Sequence, residues 1–182
     1  MSDFDKEVAK IHKHNQPIIE GFQAWLQKAN LSAKTIKNHI LNIEFFAEYL
    51  VSYEPLQKLD EADDQDVYDF LLDYFPRKAM WASESSTKSY MGSFKKFFSY
   101  MVETNKISPE IEAEVKETIK EGKQDFLDAV SEWVVTKMPK SNSFEEQYPH
   151  INRFVEERGW IEIGESEYID SFVRAYDYGG TV

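Results

Sequence analysis

Along the first three-quarters of the chain, hydrophobic positions recur at intervals of three and four, the spacing that gathers side chains on one face of an α-helix. Ile18, Ile19, Phe22, Trp25 and Leu26 form the first such stripe, and Pro17 suits a first helical turn, so a helix is predicted from Gln16 to Ala29. Asn30-Leu31-Ser32 then supplies a cap, and Ile36, Ile40, Ile43, Ala47 and Leu50 mark a second helix that ends near Tyr53, because Pro55 disfavours helix just before it. Opposite this stripe fall Lys34 and Asn38, with Lys37 beside them. A third helix is expected from about Asp63 to Tyr74, with Val67, Phe70, Leu71 and Tyr74 inward, stopped by Pro76 and followed by a loop over Arg77 to Glu84. Ser85 and Ser86 are candidate caps for a fourth helix, Thr87 to Thr104, whose apolar stripe is Tyr90, Phe94, Phe97 and Met101. Lys88, Gly92, Lys95 and Ser99 lie on its other side, flanked by Lys96.

Pro109 opens a long acidic helix that reaches Met138, with a weak point at Gly122 and a stripe of Ile111, Val115, Ile119, Phe126, Val130, Trp133 and Val134. After Pro139 the character changes. PKSNS reads as a linker, Phe144 to Arg158 as a helix closed by Gly159, Trp160 to Ile163 as a short strand, and Tyr168 to Tyr176 as a short helix. Thr181-Val182, directly after the Gly179-Gly180 turn, reads as a strand cut short. The expected organisation is an N-terminal arm (1–15), a helical domain (16–106), an acidic helical extension (107–140) and a small α/β C-terminal segment (141–182).

Composition narrows the function classes. With 182 residues, 42% of them hydrophobic, the chain can bury a core, and with no cysteine it has no disulfide, thiolate metal site or cysteine nucleophile. No apolar run has the length of a membrane span and the start is polar, so the expectation is a soluble, cytoplasmic protein that engages no membrane. The net charge of −12 argues against a general nucleic-acid coat. The acidity is uneven, however. Eight acids crowd Glu54 to Asp73, and the rest of 16–106 carries nine bases against five acids, enough for a local basic surface.

The order of these features resembles the N-terminal, SAM-like core-binding domain of phage integrases and other tyrosine recombinases. The resemblance is carried by FQAWLQKANLSAKTIKNHILNIEFFAEYL, by an acidic helix with VYDFLLDYF, and by SSTKSYMGSFKKFFSYMVETNKIS, about half the chain. It implies a mainly α fold: a four- to five-helix orthogonal bundle, followed here by the long acidic helix and the α/β appendage. It also implies a double-stranded DNA partner, approached through the second and fourth helices. Carried onto this sequence, the implied contacts are Lys34, Thr35, Lys37 and Asn38, then Ser86, Thr87, Lys88, Lys95 and Lys96. Arg77, the only arginine between 16 and 106, is added as a candidate because arginine gives the commonest specific guanine contact. Lysines position a protein on phosphates without reading sequence, so limited specificity is expected. In such proteins the helix after the core often packs on a neighbouring protomer, which makes Trp133 and Val134 candidate interface residues for self-association through the 109–138 helix.

Catalysis in that family needs a second domain with two arginines, a lysine, a His-x-x-Arg box and a tyrosine nucleophile. His150-Ile151-Asn152-Arg153 matches the box literally, with Tyr176 and Tyr178 downstream, but the chain from 107 onward is too short for the catalytic fold. A non-catalytic module is therefore expected, with no cofactor and no small-molecule substrate. His12 and His14 sit on different faces with no third ligand, and DEADDQDVYD lacks the central glycine and closing glutamate of a calcium loop, so no metal is expected. The competing expectation is an acidic helical protein–protein interaction module that has lost DNA binding.

Overall fold

The computed structural model describes residues 2–137, with side chains described through Glu132. The first helix, α1, is Asp3–Lys28, much longer than its hydrophobic stripe predicts. Residues 3–15 are helix rather than an arm, and Pro17 lies inside it. Its start is fixed by a capping box in which Ser2 Oγ accepts from Asp5 N–H at 3.1 Å while Asp5 accepts from Ser2 N–H at 2.8 Å. Tertiary ties then hold the extra turns. Ile11 and Asn15 are buried, Asn15 Oδ1 accepts the Leu59 N–H at 3.1 Å, and His14 and His12 reach Asp60 and Glu48 at 2.9 and 3.7 Å.

Asn30, at φ 55°, reverses the chain in the left-handed region that asparagine tolerates. Ser32 then caps α2 (Ala33–Leu50), its hydroxyl accepting from Thr35 N–H at 3.2 Å, where the sequence places it. A short 3₁₀ turn (Leu59–Glu61) leads to α3 (Asp64–Asp69), which runs through a π-turn (Phe70–Tyr74) into α4 (Phe75–Lys78). Pro76 does not stop this segment. The π register carries the bonding across it, with Phe75 N–H reaching back five residues to Phe70 O, so helix continues to Lys78 where a loop is expected.

Helix α5 (Glu84–Glu103) is the expected fourth helix, and it starts three residues early. Ser83, not Ser85 or Ser86, is its cap: Ser83 Oγ accepts from Ser86 N–H at 3.1 Å and Ser86 Oγ from Ser83 N–H at 2.9 Å. The long acidic helix is two helices, α6 (Pro109–Glu121) and α7 (Lys123–Lys137), broken at Gly122. Neither is an extension standing off the bundle. Val115, Ile119, Phe126, Leu127 and Val130 are buried in the same core as Phe22, Phe46, Phe70 and Phe97.

Among the described residues the chain is a helical bundle without strands, as the SAM-like resemblance implies. No helix among them is long and apolar enough to cross a membrane. The proposed α/β segment at 141–182, with His150, Arg153, Tyr176 and Tyr178, lies outside the described residues, as do the side chains of Trp133 and Val134.

Candidate nucleic-acid interface

The face named by the sequence is built where α2 and α5 meet. A stripe of short polar side chains replaces apolar packing at this contact. Asn38 Nδ2 donates to Ser89 Oγ at 2.7 Å, and Asn42 Nδ2 donates to Ser89 Oγ at 3.1 Å and to Ser93 Oγ at 2.9 Å. The hydroxyl of Ser93 has one proton, which goes to Ser89 O at 3.1 Å, so the 2.7 Å contact with His39 is one in which His39 Nδ1–H donates. His39, Asn42 and Ser93 are buried; Asn38 and Ser89 are half-buried at the outer edge. Five side chains thus satisfy one another in a seam that fixes the two helices in register and pins Asn38 in place.

The lysines stand around this seam. Lys34 lies one turn before Asn38 and is exposed; Lys88 and Lys95 are exposed and Lys96 half-buried on α5. Among the described residues no ion pair engages Lys34, Lys37, Lys95 or Lys96, whereas Lys88 reaches Glu84 at 3.5 Å. Lys37 sits about 60° round α2 from Lys34. It lines a groove between α1 and α2 with Gln23, Gln27 and Glu44, away from α5.

Not every expected contact belongs to this face. Thr87 is fully buried, its hydroxyl donating to Ser83 O at 2.8 Å, so it faces the core and cannot touch a duplex on the surface. Thr35 and Ser86 have their hydroxyls in the caps of α2 and α5, on Ser32 Oγ at 2.8 Å and on Trp81 O at 3.0 Å. Arg77 lies beside Tyr49 and Tyr53 at the far end of α2, roughly 20 Å or more from Lys34 at 1.5 Å per residue. There Asp73 grips it at 2.7 and 3.3 Å, and this hydrogen-bonded pairing, with Tyr53 adding to it, raises its already high pKa. The arginine suited to guanine is committed to an acidic, tyrosine-lined corner, separate from the lysines.

Residues 19–105 match the phage integrase N-terminal SAM-like domain family. No curated protein and no solved structure matches the chain. The match opens inside α1 and closes just after α5, so it holds both helices of the seam. It is a match to the non-catalytic domain of the recombinases. Helices α6 and α7, outside the match, share the buried core of the matched region nonetheless.

Spacing alone points to the lysines of this face but not to the seam beneath them. A signal was present: Asn38 and Asn42 on one helix, and Ser89 and Ser93 on the other, are each four apart and so share a face. The seam also carries a pH dependence. Burial first, and the nearby Lys96 charge second, hold the His39 pKa below its ordinary 6.5. An imidazole in the unfolded chain therefore takes up a proton before the folded one does. Its contribution to stability is complete above about pH 6.5 and is lost as pH falls through the lower folded value, by at most about 1.4 kcal/mol per pH unit. The expected result is a melting temperature that drops more between pH 7.5 and 5 in the wild type than in His39→Gln. Equal slopes would place the titration elsewhere.

Proposed function

We propose that this chain is a non-catalytic DNA-binding module that lays the shared face of α2 and α5 along a duplex backbone. The observation that carries the reading is the lysine set Lys34, Lys95 and Lys96, unpaired among the described residues, around the pinned Asn38–Ser89 contact and within the region that matches the integrase SAM-like domain. Lys88 joins them once a phosphate competes with its exposed pairing to Glu84, an ion pair of little strength in water. Lys37 extends the cationic edge toward α1. The surrounding acids keep the protein off nucleic acid everywhere else, which favours one docking orientation over many. Contacts of this kind read the position of phosphates rather than base identity, and Asn38 is the one side chain on the face whose amide can also address a base edge.

The test is fluorescence anisotropy with a labelled duplex at low and moderate salt, comparing wild type with a variant carrying Lys34, Lys37, Lys88, Lys95 and Lys96 all changed to Gln. Wild-type binding is expected to weaken with salt at a slope near about −4 in log K against log salt, the value for four or five neutralised phosphates. In the variant, binding is expected to vanish. Absence of wild-type binding even at low salt, with the protein folded, overturns the proposal and leaves an acidic helical interaction module.

A further inference from the structure

The three glycines among the described residues are held for different reasons. A Cβ at Gly21 would lie 2.3 Å from Tyr100 Oη, and one at Gly122 would lie 2.5 Å from the Phe126 ring, so packing dictates both. Gly92 is otherwise: a Cβ built there meets nothing within 4 Å. It lies in the interior of α5, where glycine is among the poorest residues for a helix, and its backbone is ordinary helix that alanine would adopt freely. The fold gives no reason for it.

Its position does. At 100° per residue Gly92 faces directly away from the core positions Phe94, Tyr90 and Met101. Lys88 and Lys95 stand about 40–60° to one side and Ser89 and Lys96 about 40–60° to the other. Ser89 in turn holds Asn38 at 2.7 Å, which brings the α2 edge of the face within one turn of Gly92. The result is a notch of bare backbone between Lys88 and Lys95 on one side and Lys96 on the other. A side chain at the centre would keep a flat or convex ligand at arm's length, whereas its absence lets a phosphodiester strand settle on the helix while the lysines reach round it.

We infer that Gly92 is the point of closest approach between α5 and the sugar-phosphate backbone of a bound duplex, a positioning residue for docking. This rests on the DNA-binding reading above. The test uses the full chain with Gly92→Ala, Gly92→Gln, and Ala113→Gln on the exposed side of α6 as a control. Melting of Gly92→Ala is expected to rise by about 3 °C, since only helix propensity changes. Gly92→Gln is expected to melt no lower than wild type, yet to bind the labelled duplex at least about tenfold more weakly, an obstruction of ordinary size. Ala113→Gln should bind as wild type does. Wild-type affinity in Gly92→Gln, alongside normal wild-type binding and a defective lysine variant, overturns this inference and spares the DNA-binding reading. A Gly92→Gln that melts well below wild type overturns it too, because the glycine then serves the fold. No duplex binding by wild type overturns both.

Discussion

Changing Phe70 to alanine is expected to remove about 3–5 kcal/mol of folding stability, the usual cost of emptying a phenylalanine site in a close-packed core. Phe70 has no exposed surface, and its ring is met by Phe46 at 5.3 Å and 88°, by Phe94 at 5.6 Å and 90°, and by Tyr90 at 5.3 Å. It joins α2, α5 and the π-turn at one point, so few neighbours are free to collapse into the space. Against a typical total of about 5–15 kcal/mol, the loss leaves a protein near its threshold at physiological temperature. Urea unfolding is the measurement: the midpoint should fall sharply with the slope unchanged. A loss below about 1 kcal/mol would mean that the aromatic cluster repacks and that Phe70 is not its centre.

The second large effect is expected at Gly122, where backbone freedom and packing make opposite forecasts. Gly122 has φ −79°, which alanine adopts freely, so reduced freedom of the unfolded chain alone has Gly122→Ala stabilise by about 0.4–1 kcal/mol. Packing predicts destabilisation by about 1–3 kcal/mol, because the added methyl would sit 2.5 Å from Phe126 Cζ and 3.0 Å from Thr118 O. The ring cannot swing away, since Phe126 is fully buried against Tyr68 at 5.5 Å. Packing should win. Parallel melts of Gly122→Ala and Gly92→Ala should therefore move in opposite directions, and a rise in both would show that the break between α6 and α7 is not enforced by Phe126.

Helix existence and core faces were legible because burial writes a three-to-four repeat into the sequence: the stripes of Phe22 and Leu26, of Ile36 and Ile43, and of Phe94 and Met101 are all buried. Boundaries were less so, for identifiable reasons. Proline rules apply to isolated, regular turns, and here a long-range tie overrides one, Asn15 to Leu59 near Pro17, and a local change to π register overrides the other at Pro76. The Ser83 cap was missed because three candidate serines lie close together and only the reciprocal bond with Ser86 selects among them. At the candidate site, exposure of the lysines followed from the helical wheel, but Thr87 did not, since a threonine beside a cap serves the core as readily as the surface. The Arg77–Asp73 pair was hidden for another reason: its four-residue spacing is helical, and the segment after Pro76 was expected to be loop.

The crossed rings around Phe70 have a spectroscopic consequence. Where one ring's edge points at another's face, as for Phe46 and Phe94 at 4.8 Å and 73°, the edge protons sit in the shielding cone of the neighbour. Upfield-displaced aromatic resonances should therefore mark the assembled bundle. They give a signal of side-chain order separate from helix content, one that vanishes if the helices persist while their packing is lost.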